Sequence, residues 1–173
     1  MLLAEAFVLL ALNADGTPAH GSNQPNVAMG VVGALVTELV LDGHLDLSDG
    51  RIRLAGSKPT APLLVLALQN LAPHEGKKHS LHATRHPVVD ATAHARLRAE
   101  VHSAAIGEGP LDPRHAALLA LAGPCRLLEV VAPDRADRAQ AKRRIAEAAE
   151  RVPAAAAVKY AIEAAAVAAV VGA

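Results

Sequence analysis

Histidine and basic residues cluster near the middle of the chain, seven of them within thirteen residues. They are His74, Lys77, Lys78, His79, His82, Arg85 and His86. Three imidazoles with a carboxylate could hold a divalent metal if a rigid element placed them together. Gly76 and Pro87 argue against a rigid helix here. We therefore expect a solvated polar loop and no metal site.

The basic residues of this cluster indicate a second chemistry, attraction to an anionic surface. Each Lys or Arg near an anionic leaflet contributes about 1 kcal/mol to binding. An ordinary imidazole titrates near pH 6.5, so the four histidines would add up to about four positive charges on mild acidification. We therefore predict that Lys77, Lys78 and Arg85 contact anionic lipid, and that binding strengthens below neutral pH and weakens with salt.

The residue types of a nucleophilic triad occur as well, but their spacing does not support catalysis. Ser103, Asp112, His115 and Cys125 lie outside any Gly-x-Ser-x-Gly turn. The sequence has no glycine-rich phosphate loop ending in Lys-Ser or Lys-Thr, and no Gly-x-Gly-x-x-Gly motif. We therefore predict no catalytic residue and no cofactor.

The composition narrows the class of protein further. Over 173 residues, 17 Lys plus Arg balance 17 Asp plus Glu, and 52% of the residues are apolar. This excludes a disordered chain and a strongly basic nucleic-acid binder. One Phe, one Tyr and no Trp leave few platforms on which unpaired bases could stack. The single cysteine, Cys125, fits a reducing compartment, so we expect a cytoplasmic protein.

Most of the secondary-structure elements that the sequence predicts, and that must position these side chains, are helices. Apolar residues at three- and four-residue spacing predict helices at residues 2–12, 27–41, 63–71, 92–106 and 113–121, with further helices ending at residues 131 and 152 and a last one from residue 153. Asp112 and Asp134 are placed to cap the helices that follow them. Arg138, four residues after Asp134, is predicted to pair with it.

A short β-hairpin is predicted after the second helix. Leu45 and Leu47 alternate with polar residues before the turn at residues 48–50, and Ile52 and Leu54 alternate with arginines after it. The sequence therefore predicts a mainly α fold, a single helical domain of residues 1–173 with this hairpin. Charged residues interrupt the apolar runs at both ends of the chain, which favours core helices over a signal peptide or a membrane span.

Several motifs resemble, in order and over most of the chain, the Golgi phosphoprotein 3 family, also called GPP34. The longest motif is the run GALVTELVLDGHLDL at residues 33–47, and shorter ones are Lys58-Pro59-Thr60, Thr84-Arg85-His86-Pro87 and Asp112-Pro113-Arg114. The alanine and arginine bias is similar to that of bacterial members. The resemblance implies a mostly helical, non-enzymatic adaptor that binds phosphatidylinositol 4-phosphate at a membrane surface.

The chain departs from the eukaryotic members of that family at their head-group site. The resemblance places the tryptophan of that site near Asn23 and one of its arginines at Val32. The passage from Leu71 to His82 is also shorter than the family's corresponding segment. A shortened segment would uncover apolar surface, so we predict a homo-oligomer that uses the hairpin edge or the face near residues 63–71.

Two other functions stay open at this point. The predicted helix 27–41 and the hairpin have the helix-then-wing order of a winged-helix nucleic-acid binder, with Arg51 and Arg53 on the wing. That helix contains no Lys, Arg, Asn or Gln that could contact bases, so we expect no nucleic acid. The other alternative is a structural, self-associating protein that has lost lipid binding.

Overall fold

In the computed structural model of the chain, the described residues are 1–19, 24–47, 53–55, 59–65 and 91–171. The helices are α1 (Leu3–Leu10), α2 (Gln24–Leu41), α3 (Ala91–Ile106), α4 (Pro113–Ala122), α5 (Leu128–Val131), α6 (Arg138–Arg151) and α7 (Pro153–Val171). Residues 62–65 are helical too. The predicted mainly α fold with a hairpin after the second helix is confirmed. None of the helices, as far as they are described, is long and apolar enough to cross a membrane.

The core forms where α1, α4 and α7 approach α2 closely. Phe7 of α1 is fully buried. A Cβ at Gly30 of α2 would overlap the Phe7 ring and lie 2.8 Å from Cys125 Sγ. One turn later, a Cβ at Gly33 would lie 2.8 Å from a methyl carbon of Leu121. Glycine at these two positions therefore allows helix packing that alanine would obstruct.

Cys125 belongs to this core. Its Sγ donates to the carbonyl oxygen of Asn26 at 3.1 Å. Burial raises the pKa of the thiol to about 12, against a smaller lowering by a backbone hydrogen bond from Gly30. Because the thiolate is the reactive form of cysteine, the folded protein holds this side chain in an inert state at neutral pH.

The end of α2 leads directly into the hairpin, which consists of β1 (Leu45–Asp46) and β2 (Arg53–Leu54). Gly43 has a φ of +71°, the left-handed conformation that glycine adopts without strain. The following residue, His44, donates its N–H to the Leu39 carbonyl at 2.8 Å and closes the helix end. The strands pair antiparallel, Leu45 with Leu54 and Asp46 with Arg53. The helix end thus turns the chain back so that β1 lies against α2.

The two predicted aspartate caps have different outcomes. Asp112 caps α4 as expected and accepts from the backbone N–H of Arg114 at 2.9 Å. The cap at Asp134 is wrong, because α6 begins only at Arg138. The predicted pairing of Arg138 with Asp134 is wrong as well. Arg138 instead donates to Glu129 at 2.8 Å and to the backbone carbonyls of Ala132 and Pro133, partners that the sequence spacing does not indicate.

Candidate functional site

An apolar groove lies between α2 and α7, beside strand β1. Its cavity measures about 400 Å³. Met29, Val32 and Val36 of α2 form one wall, and Ala157 and Ala161 of α7 contribute to the opposite wall. The described side chains around this cavity are all apolar. Such a groove offers a binding surface for hydrocarbon.

The groove is apolar because α2 is apolar on nearly all of its faces. One face packs in the core through buried residues such as Ala34 and Leu39. On the groove side, Met29 is 37% exposed and Val32 is 54% exposed. Across the groove, α7 contributes the short side chains of Ala157 and Ala161. A helix that is apolar all round is normally buried, so the uncovered face is a candidate contact surface.

A second cavity of about 280 Å³ adjoins the first, and both are bordered by Leu47, Pro153 and Ala154. Among the described residues around it, the polar side chains are those of Thr37 and Arg151. The Thr37 hydroxyl donates to the carbonyl oxygen of Gly33 at 2.7 Å and is therefore satisfied within α2. Arg151 is thus the charged group that a molecule in this cavity would meet.

Arg151 belongs to a charge cluster at the end of α6. It donates to Glu147 at 2.7 Å, and the other oxygen of Glu147 accepts from Arg144 at 2.9 Å. Arg144 is buried and also donates to the Gly109 carbonyl at 2.6 Å. One carboxylate thus serves two guanidinium groups, which leaves one net positive charge. Since the Arg151 side chain is 56% exposed and that of Arg144 only 9%, this charge is accessible at Arg151.

A separate polar cleft of about 530 Å³ brings together Ser103 of α3 with Asp112 and His115 at the start of α4. His115 Nδ1 hydrogen-bonds the Asp112 carboxylate. Burial raises the pKa of this carboxyl, but hydrogen bonds from His115 and Arg114 together outweigh it and hold the pKa below its usual range. Among the described contacts, none joins Ser103 to His115. The arrangement is that of a helix cap and lacks the nucleophile–base contact of a catalytic triad.

The residues predicted to contact anionic lipid, Lys77, Lys78 and Arg85, lie outside the described residues, as do the four histidines beside them. Their role stays a prediction. Two histidines further along are described. His94 Nε2 lies 3.0 Å from the Leu12 carbonyl oxygen, and His102 Nδ1 lies 2.9 Å from that of Val131. Within the described ranges, no group of three His, Cys, Asp or Glu side chains could hold a metal.

An ion pair between the buried Glu38 and the partly exposed Arg114, which the sequence analysis missed, holds α1 and α4 against α2. Arg114 donates to Glu38 at 2.6 Å and to the Met1 carbonyl at 2.8 Å. Glu38, whose side chain is 4% exposed, also accepts from the backbone N–H of Leu3. In the sequence, this ion pair is indicated by Glu38, an acidic residue in a mostly apolar helix. Its partner, 76 residues away, could not be inferred from spacing.

Comparison with known proteins identifies one family. The model for Golgi phosphoprotein 3 (GPP34) matches residues 3–83 and residues 71–165. The two matched segments overlap at residues 71–83 and together cover most of the chain. No curated protein and no solved structure matches the chain.

Proposed function

The chain belongs to the Golgi phosphoprotein 3 (GPP34) family, and we propose that it is a non-catalytic protein that binds the anionic surface of a membrane peripherally. The exposed apolar face of α2 at the groove is the observation that carries the proposal. Surface binding of this kind scales with the apolar area that enters the interface and with attraction to anionic lipid.

The apolar contribution comes from large side chains that the fold leaves exposed. Val32 is 54% exposed on α2, Leu54 is 60% exposed on β2, and Tyr160 is 75% exposed on α7. Tyrosine combines an apolar ring with a polar tip, which suits the boundary between head groups and hydrocarbon.

Within this proposal the chain responds to anionic charge and does not select a phosphoinositide head group. A phosphomonoester requires several converging Lys or Arg donors. Val32, where the family resemblance places an arginine, supplies apolar surface instead. The electrostatic contribution is assigned to Lys77, Lys78 and Arg85. The alternative of a nucleic-acid binder gains no support from α2, whose exposed positions at the groove are apolar.

Self-association is a second candidate for the exposed apolar residues. Leu54 on the hairpin and Leu63 are 60% and 42% exposed, close to the surfaces from which we predicted a homo-oligomer. Contacts between copies of the chain would cover such side chains. Light scattering of the purified chain at micromolar concentration measures this directly, and a monomeric mass would contradict it.

The proposal predicts that removing three basic charges weakens vesicle binding. We expect the triple variant Lys77→Ser, Lys78→Ser, Arg85→Ser to bind phosphatidylglycerol-containing vesicles more than tenfold more weakly than the original chain. The reason is that each basic residue near the leaflet contributes about 1 kcal/mol. Co-sedimentation at low salt measures the affinity.

The matched control removes the same charge from exposed positions before and on α6, with the substitutions Arg135→Ser, Lys142→Ser and Arg143→Ser. We expect this control to retain most of the binding. Equal losses in both variants would show that net charge alone controls association. An unchanged affinity in the first variant would contradict the role of Lys77, Lys78 and Arg85.

A further inference from the structure

We propose that the two adjoining cavities bind a free long-chain fatty carboxylate, with its hydrocarbon chain along α2 and its carboxylate at Arg151. This goes beyond the proposed function, because a fatty carboxylate in solution needs no bilayer. Three properties of the site favour this ligand over others. They are its length, its apolar walls and the one accessible charge among the described residues around it.

The length of the site matches that of one acyl chain. Met29 lies beside the first cavity and Leu41 beside the second, twelve residues apart on α2. At 1.5 Å per residue this distance is about 18 Å. A bilayer core of about 30 Å contains two layers of chains, so one chain spans about 15 Å. A chain that begins at Arg151 can therefore extend past Leu47 to Met29.

The walls favour hydrocarbon throughout. The described side chains around the first cavity are all apolar. In the second cavity, the Thr37 hydroxyl already donates to the Gly33 carbonyl oxygen. A polar ligand would leave its own donors and acceptors unpaired there. Each methylene group that leaves water adds to affinity. Binding should therefore strengthen as the chain lengthens, until the chain exceeds the site.

The charge at the end of the site fits a monoanion. Arg151 and Arg144 share the single carboxylate of Glu147, and Arg151 is the more exposed of the two. A guanidinium group can donate two parallel hydrogen bonds to a carboxylate. A phosphomonoester, with almost two negative charges, would require further basic donors. Among the described residues around the two cavities, Arg151 is the basic side chain.

Titration with a naturally fluorescent polyene fatty acid, in buffer without vesicles and below micelle concentration, tests the proposal. We expect saturable binding of one molecule per chain. The Ala157→Phe substitution, at an exposed position that lines the groove, should weaken it more than tenfold by filling the site. The matched control is Ala156→Phe, an exposed neighbour that is not among the groove's described lining residues. Thermal unfolding checks that both variants fold.

A separate variant tests whether Arg151 binds the carboxylate of the fatty acid. Arg151→Gln should weaken binding of the fatty carboxylate about tenfold, as expected when a charge-assisted hydrogen bond is lost, and should leave competition by the alcohol of equal chain length unchanged. Arg143→Gln, on the same helix, is the control. Equal affinity of the alcohol and the carboxylate for the original chain would overturn the role of Arg151. Absence of saturable fatty-acid binding would overturn the whole inference, whereas vesicle co-sedimentation decides the proposed function independently.

Discussion

Replacing Phe7 with alanine is expected to lower the free energy of unfolding by about 3–5 kcal/mol. The ring is fully buried and packs against Gly30 of α2 and near Cys125. Because the ring fills the space between α1 and Gly30 of α2, the lost side chain would leave a cavity in the core. Urea unfolding followed by circular dichroism measures the loss.

Tyr160→Ala is the matched control, since Phe7 and Tyr160 are the two aromatic residues of the chain. Tyr160 is 75% exposed, so we expect its removal to change the free energy of unfolding by no more than about 0.5 kcal/mol. Similar losses in the two variants would contradict the core described around Phe7.

Replacing Glu38 with alanine is expected to destabilise the fold by about 3 kcal/mol, near the upper limit for leaving a buried donor without its acceptor. The substitution removes the acceptor of Arg114 and of the buried Leu3 N–H together. Arg114 adds little to this loss, because its side chain is 44% exposed and water can solvate it again. Urea unfolding measures this loss as well.

The control for Glu38 is the exposed pair of Lys159 and Glu163 on α7, 4.0 Å apart. Glu163→Ala removes the carboxylate of an exposed ion pair whose members are four residues apart on one helix. Exposed ion pairs contribute at most about 1 kcal/mol to stability. We expect the Glu38 variant to lose clearly more stability than the Glu163 variant. The reverse order would show that the ion pair of Glu38 and Arg114 does not hold α1 and α4 in place.

The helices and the hairpin could be predicted from the sequence because their signals are local. Asp112 before Pro113 marks the start of α4, and Asp42-Gly43 marks the end of α2. The cap at Asp134 failed because contacts outside the helical spacing decide the turn before α6. Arg138, its expected partner, binds Glu129 nine residues earlier and the Pro133 carbonyl five residues earlier.

The candidate site could be predicted only in part. The sequence showed that α2 is apolar on most faces, but not which face the rest of the chain covers. Val32 lines a groove whose opposite wall is formed by α7 residues such as Ala157 and Val158, more than a hundred residues later in the chain. The accessible charge at Arg151 likewise depends on Glu147 being shared with a buried Arg144.

The most direct test of membrane binding through the α2 face uses a single inserted tryptophan. The chain contains no Trp, so the variants Val32→Trp and Ala139→Trp each carry one indole, the second at an exposed position on α6. Each variant is mixed at low salt with phosphatidylglycerol-containing vesicles whose acyl chains are brominated, which quenches indoles that enter the hydrocarbon. We predict strong quenching and a blue shift for Val32→Trp and neither for Ala139→Trp. Sedimentation with the vesicles without quenching at Val32, or no sedimentation of the original chain, would contradict the proposed function.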